Sequence, residues 1–496
     1  MMYNSTRNSA AVVSSAQAIS RGISEEGGLF VPQEIPALSA EEIKGMISLG
    51  YDERAYAVLS KFLTDFSEEE LKNCVTSAYG KQFRHPKVAP LYDLGSGVQV
   101  MELWHGPTCA FKDMALQILP HFMRVSAQKT VDGKEIVILV ATSGDTGKAA
   151  LEGFKDAPDT RILVFYPEDG VSPMQKLQMT TQEGNNVGVC AIEGNFDDAQ
   201  TGVKKIFTDP AMAQELANNN KMFSSANSIN WGRLAPQIVY YVSAYCDMLE
   251  AGTVSMGEPV NVVVPTGNFG NILAAYYAKK MGVPIAKLIC ASNANRVLTD
   301  FLETGEYNRN RAFYTTTSPS MDILISSNLE RLLYELSGRD DALIATLMKQ
   351  LNESGSYRIP ETMREEIRSL FAAGSCTDAQ TAETIGEVYR EKGYLLDPHT
   401  AVAVRVYEEY VAKTGDKTPT VIASTANPYK FSASVLAALG EDDVALNEFE
   451  KMVKLNAVTG CEIPEPLASI QGKTQRFKDV CTKETMVEVV KEMLDL

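Results

Sequence analysis

Apolar residues in the middle of this chain fall into short continuous runs separated by stretches of helical period. The runs are IVILVA (Ile136–Ala141), RILVFYP (Arg161–Pro167), NVGVCAI (Asn186–Ile192), PVNVVVP (Pro259–Pro265), AKLICASN (Ala286–Asn293) and TPTVIAST (Thr418–Thr425). Each is strand-length and too apolar to present one face to water. Between them lie helical patterns such as KAALEGF (Lys148–Phe154), a long one over Leu234–Met248, and ILAAYYAKKMG (Ile272–Gly282), which carries lysines in its last turns and ends on glycine. Alternation of this kind predicts an α/β fold with parallel sheets covered by helices on both faces. Ligands of such sheets lie beyond the carboxyl ends of the strands. Residues 1–95 read as a helix-rich N-terminal cap, and 131–232 as a small mobile α/β domain. Residues 96–130 and 233–496 form the large α/β domain in this reading. The acidic stretch after Gly440 reads as surface helices without chemistry.

A length of 496 residues exceeds one ordinary core, so two or three domains are expected. The net charge of −17 argues against a nucleic acid or an anionic membrane as partner. It also requires that any anionic ligand be attracted by a local site. No apolar run reaches membrane-spanning length and no secretory leader is evident, so a cytoplasmic location is expected. The eight cysteines are scattered without CxxC spacing, as reduced thiols are, and the four histidines form no metal-ligand pattern.

Candidate chemistry begins at Leu103–Met114, LWHGPTCAFKDM, where a single lysine follows a strand-like run and a Gly-Pro turn. Met114, Ile118, Phe122 and Val125 then recur at helical spacing, which puts Lys112 near a helix start. There the helix dipole and a dry environment both disfavour the ammonium form, as Schiff-base chemistry requires. A snorkelling lysine is the plain alternative. Downstream, PVNVVVP runs into Thr266-Gly267-Asn268-Phe269-Gly270-Asn271 and then a helix, a geometry that presents successive N–H groups to a phosphate. The loop matches neither GxxxxGK[ST] nor GxGxxG, which argues against a nucleotide. A phosphate held far along the chain from a lone lysine suggests pyridoxal 5'-phosphate as cofactor.

Two further strand ends join the set. After Ile136–Ala141 comes Thr142-Ser143-Gly144-Asp145-Thr146-Gly147, whose hydroxyls and N–H groups suit a substrate carboxylate or phosphate. TPTVIAST ends in hydroxyls that suit the pyridine nitrogen of the cofactor, where a carboxylate would instead keep that nitrogen protonated. Ser424 and Thr425 both qualify, and only one of them can face the ring along a regular strand.

Taken together, HGPTCAFKD, ATSGDTG, PTGNFGN and STANPYKF resemble the lysine, substrate-loop, phosphate-loop and ring-nitrogen motifs of threonine synthases, within the tryptophan-synthase-β fold type. YNSTRN and EEGGLFVP resemble that family's N-terminal region, so the likeness covers nearly the whole chain. Asn427 stands where relatives often carry histidine, and Cys109 and Met114 also depart from the usual pattern. The resemblance implies two doubly wound parallel-sheet domains with the cofactor between them. It implies a PLP-dependent lyase converting O-phospho-L-homoserine and water to L-threonine and phosphate. Lys112 is then the Schiff-base lysine and general base, with Gly267, Asn268, Phe269, Gly270 and Asn271 on the cofactor phosphate and Thr425 on the ring nitrogen.

Thr142, Ser143 and Thr146 are assigned to the substrate carboxylate, with Asp145 orienting their loop. For the substrate phosphate, Asn227, Asn230 and Arg233 and the Ser327, Asn328 and Arg331 group each place amides and hydroxyls near an arginine. A surface ion pair is the competing reading of each arginine. Another lyase of the same fold, such as a serine/threonine dehydratase or a cysteine synthase, is the alternative function. A catalytically silent binding module is the alternative from another class. A small-molecule substrate and a monomer or homodimer complete the expectation.

Overall fold

In the computed structural model of the chain, residues 1–131, 133–142, 144–169, 171–441 and 444–496 are described. The N-terminal segment opens with β1 (Met2–Ser5), β2 (Asn8–Ser14) and β3 (Phe30–Pro32), an antiparallel sheet in the order β2-β1-β3. Helices Tyr51–Phe62 and Glu68–Ala78 follow, each with acidic residues in its first turn and an apolar stripe facing inward.

Strands β4 (Leu91–Gly95) and β5 (Val98–Glu102) begin the larger sheet. Strands β6 (Glu135–Ala141), β7 (Thr160–Pro167), β8 (Val187–Ile192) and β9 (Lys221–Ser224) make the second. The chain returns to the first with β10 (Val260–Pro265) and β11 (Ile285–Ser292), forms a short antiparallel pair of β12 (Glu306–Asn308) and β13 (Ser356–Arg358), and adds β14 (Phe371–Ser375) and β15 (Thr420–Ser424). The order is β14-β11-β10-β15-β5-β4, parallel except for β4 at the edge. The second sheet is parallel throughout, β16-β8-β7-β6-β9. Its outer member, β16 (Val480–Cys481), comes from the C-terminal segment read above only as surface helices. The following helix, Met486–Met493, buries Met486 and Val490 in the core under that sheet.

The expected alternation is therefore present, and all six apolar runs form central or near-central strands. The helix expected over Leu234–Met248 extends over Trp231–Glu250 and is buried along nearly its whole length. Trp231, at its start, meets Tyr3, Phe62 and Tyr277 at ring-centroid distances of 5.4, 5.5 and 5.6 Å. One aromatic cluster thus binds the N-terminal segment to the long helix and to the helix Gly270–Met281. Arg54 adds a buried ion pair to Asp247 at 2.8 Å.

Candidate active site

Lys112 sits on a loop fixed at both ends. Gly106 lies so close to Asp113 that a Cβ would stand 2.5 Å from the carboxylate, and Cys109 takes a left-handed φ of 58° to make the turn. The Asp113 carboxylate accepts from the Thr108 amide at 2.8 Å and from its hydroxyl at 2.6 Å. Burial pushes this carboxyl up to about 6 against those two bonds. The loop is also stitched to the end of β15. Phe111 N–H donates to the Thr425 carbonyl at 2.8 Å, Asn427 N–H donates to the Cys109 carbonyl at 3.0 Å, and Ala110 bridges Ala426.

The lysine itself is half-buried at the start of the short helix Asp113–Leu116. Desolvation pulls its amine down to about 8; Asp145 opposes this, and Arg233 and Lys430 reinforce it. The dry environment expected from sequence is thus the main cause, joined by two neighbouring cations.

At the end of β15 the two candidate hydroxyls differ in their partners. Ser424 Oγ accepts from the Trp104 indole at 3.0 Å and shares a hydrogen with Thr400 at 3.0 Å. The Thr425 hydroxyl makes no hydrogen bond to another described side chain, while its backbone carbonyl holds the lysine loop.

In the glycine-rich loop after β10, Phe269 adopts φ 63° and ψ 1° and turns the chain into the helix Gly270–Met281. Gly267 is required by close approach, since a Cβ there would lie 2.6 Å from the Ser320 carbonyl. Asn268 is exposed, and its carbonyl accepts from the Asn328 amide at 3.0 Å. Asn271 is buried; its side-chain oxygen accepts from Tyr241, and its amide nitrogen has no partner among the described residues. A buried NH₂ left unbonded beside a helix N-terminus is what a phosphate group would satisfy.

The loop after β6 folds around Thr142, whose hydroxyl accepts from Gly144 N–H at 3.0 Å and Gly147 N–H at 2.9 Å. Thr142 therefore shapes the turn. Ser143 lies outside the described residues. Asp145 pairs with Lys430 at 2.8 Å and accepts from Gln175 at 3.2 Å. Burial alone would raise its carboxyl, but Lys430 and Lys112 hold it far below the usual carboxylate range. Thr146 is half-buried in the first helical turn.

The segments expected to take a substrate phosphate pack on the glycine-rich loop after β10. Ser326 Oγ donates to the Gly267 carbonyl at 2.7 Å, Asn328 Nδ2 donates to the Ser228 carbonyl at 3.0 Å, and Ser327 Oγ lies 3.5 Å from Ser228 Oγ. The two arginines differ. Arg331 is buried with its Nε, NH1 and NH2 groups donating to Phe30, Asn328 and Ile229. Arg233 is equally buried, but among the described residues it forms only one bond, NH1 to the Ala226 carbonyl at 2.8 Å, and its Nε has no partner. Asn230 is occupied structurally: it caps the long helix and donates to the Ile19 and Ser225 carbonyls at 2.9 and 2.8 Å. Asn227 is exposed.

The Lys112 amine thus has two cations, Arg233 and Lys430, and one carboxylate, Asp145, as its charged neighbours among the described residues, an imbalance that an anionic ligand would correct. With the Asn271 amide, unbonded among the described residues, and the Thr425 hydroxyl, these residues fit a phosphate-bearing cofactor with a basic ring nitrogen. Sequence reasoning overlooked Lys430, Thr108 and Asp113. Lys430 lay inside the STANPYKF motif, but nothing in the spacing showed that it would reach Asp145.

Family models described as "Threonine synthase N terminus", "Pyridoxal-phosphate dependent enzyme" and "Threonine synthase, C-terminal" match residues 2–79, 85–425 and 400–493. Threonine synthase of Pseudomonas aeruginosa is 40% identical over 440 residues, covering 88% of this chain and 90% of that protein. "Threonine synthase-like 1" of Homo sapiens is 43% identical over 434 residues, and the chain spans only 58% of that relative's length. Among solved structures, PLP-bound threonine synthase from Brucella melitensis superposes with a TM-score of 0.89 at 40% identity, covering 99% of each chain.

Proposed function

Because the chain belongs to the threonine synthase family of pyridoxal-phosphate-dependent enzymes, we propose that it converts O-phospho-L-homoserine and water to L-threonine and phosphate. The observation that carries this reading is the Lys112 amine, drawn down to about 8 by burial on a loop bonded directly to the Thr425 strand end. Lys112 is the attachment point, Gly267, Asn268, Phe269, Gly270 and Asn271 hold the cofactor phosphate, and Thr425 meets the ring nitrogen. The cofactor, when bound, supplies an electron sink for negative charge developing on the substrate carbons.

An uncharged lysine near both carbons serves a reaction with a γ-leaving group, because two protons must be removed before that group departs. Lys112 takes the proton at Cα and then the proton at Cβ as the γ-phosphate leaves. A proton is then returned at Cγ, water adds at Cβ with loss of its own proton, and a proton is returned at Cα. Thr142, Ser143 and Thr146 receive the α-carboxylate, with Thr142 also shaping the turn and Asp145 holding its orientation. Arg233 is the main partner of the substrate phosphate, because it is a buried guanidinium with donors to spare. Asn227, Ser327 and Asn328 line the same region; Arg331 acts through Asn328, and Asn230 by capping the Arg233 helix.

In this reading the small domain is 131–232, supplemented by the strand Val480–Cys481, and it moves against the large one. The protein works in the cytoplasm as a monomer or homodimer on a small-molecule substrate; no described helix is long and apolar enough to cross a membrane. Incubation with O-phosphohomoserine should release phosphate and threonine in equal amounts. Pyruvate or 2-oxobutyrate from serine or threonine, without that reaction, would replace the reading by a dehydratase.

A further inference from the structure

A buried cation outside the roles assigned so far, Lys430, meets Asp145 of the substrate loop between the sheets. Lys430 lies in the turn Pro428–Phe431 that follows β15 of the larger sheet, and Asp145 opens the helix Asp145–Phe154 that follows β6 of the second. Their side chains are 1% and 4% exposed and 2.8 Å apart. The same ammonium donates to the Thr108 carbonyl at 2.8 Å, while the amide and hydroxyl of Thr108 grip Asp113, the neighbour of Lys112. One cation therefore touches both the substrate loop's helix and the loop that carries the reactive lysine.

A buried ion pair is weak evidence for stability, because desolvating two charges offsets most of their attraction. Apolar side chains of similar volume would fill this space as well. What they would not do is hold Asp145 in place and keep its charge occupied. We propose that Lys430 is a positioning residue for the reaction: it clasps Asp145 to Thr108, locking the substrate loop onto the Lys112 loop, and takes the carboxylate that would otherwise pair with Lys112.

The inference rests on the reading of Lys112 as the cofactor lysine, and its electrostatic sign follows from three neighbours. Asp145 favours a proton on the Lys112 nitrogen, and Arg233 and Lys430 disfavour one. Removing Lys430 deletes a repelling charge and frees Asp145, so the proton is held more tightly. Removing the Asp145 charge leaves both cations, so it is held less tightly. A pair that served stability alone would give two weakened proteins with the same protonation behaviour.

The test uses wild-type holoenzyme, Lys430→Met and Asp145→Asn. The pH midpoint of the cofactor's visible absorption, which follows protonation at the Lys112 nitrogen, should rise by about one unit in Lys430→Met and fall in Asp145→Asn. Amide hydrogen exchange over residues 145–154 should quicken in both. If Lys430→Met binds no cofactor, the pH midpoint for acylation of Lys112, read by peptide mass spectrometry on cofactor-free protein, should show the same rise. Midpoints that stay fixed, or that move in the same direction in both variants, would overturn the inference. A wild-type protein whose visible band survives Lys112→Ala would instead overturn the reading of the site beneath it.

Discussion

The amide of Phe111 donates to the carbonyl of Thr425 at 2.8 Å, joining the residue before Lys112 to the residue that follows β15. A loop and a strand end separated by some three hundred residues of sequence are thereby placed at one fixed spacing. In the proposed reading, where Thr425 meets the cofactor's ring nitrogen and Lys112 its carbonyl carbon, such a spacing is needed, since the ring between them is rigid. Hydrogen bonds through main-chain atoms also make the spacing independent of the side chains at either position.

Replacing Lys112 by alanine should abolish turnover and remove the visible absorption band. The fold should survive, because the lysine side chain bonds no other described residue. Borohydride reduction of the wild type followed by peptide mapping should place the adduct on Lys112. A fully active Lys112→Ala protein would end the assignment.

Burial also gives Lys112 a pH signature in the cofactor-free protein. Its folded value of about 8 lies below the ~10.4 of an unfolded lysine, so the unfolded chain binds the extra proton between those values. Stability contributed by this group therefore rises with pH across that window, and below it the buried ammonium is a constant cost. Lys112→Met should accordingly melt higher than wild type at pH 7, with the advantage fading by pH 10. Equal melting differences at both pH values would contradict the burial argument.

The parts of this molecule written in local periodicity were legible in the sequence. Six apolar runs gave six strands, and the glycine-rich turn after Pro265 gave the Phe269 turn and the helix behind it. What stayed hidden depends on distant packing. β16 is two residues long and is a strand only because the edge of β8 is there to receive it. Arg233 and Arg331 sit in comparable sequence surroundings, yet the fold brings carbonyls to three groups of one and leaves the other with a single bond. The Lys430–Asp145 pair joins two sheets whose relative placement no local pattern encodes.

That difference between the arginines separates their variants. Arg233→Ala should raise KM for O-phosphohomoserine strongly while leaving the cofactor spectrum nearly unchanged. Arg331→Ala loses three buried hydrogen bonds and should cost about 3 kcal/mol of stability, since each contributes about 1 kcal/mol net. Melting curves and substrate kinetics on both proteins check the split. A destabilised Arg233→Ala with unchanged KM would remove that residue from the site.

Thr425→Val should keep the fold and the covalent attachment but weaken cofactor affinity about fivefold, the effect of one buried hydrogen bond of about 1 kcal/mol. Ser424→Ala should behave differently, because its hydroxyl bonds Trp104 and Thr400. It should lower the melting temperature and leave cofactor affinity near wild type. Thr425→Asp should protonate the ring nitrogen and open side reactions such as transamination, seen as keto-acid release. Cofactor titrations that reverse the first two outcomes would assign the ring nitrogen to Ser424.

Two glycines in the phosphate loop give the sharpest steric contrast. At Gly267 an added Cβ would meet the Ser320 carbonyl at 2.6 Å, and a backbone oxygen cannot swing aside as a side chain would. The loop would have to shift, and with it the Gly267 carbonyl that holds Ser326 and the N–H groups ahead of the helix Gly270–Met281. At Gly270 the nearest atoms are the side-chain amides of Asn328 and Gln237 at 3.4 and 3.7 Å, ordinary contact distances. Alanine also costs less backbone entropy than glycine at a helical position. Gly267→Ala should therefore reduce cofactor affinity by at least tenfold, whereas Gly270→Ala should fold as well as wild type and lose much less. Equilibrium titration of each cofactor-free variant with pyridoxal phosphate measures both. Equal losses at the two positions would show that the loop yields as a unit and that the close approach at Ser320 does not set its shape.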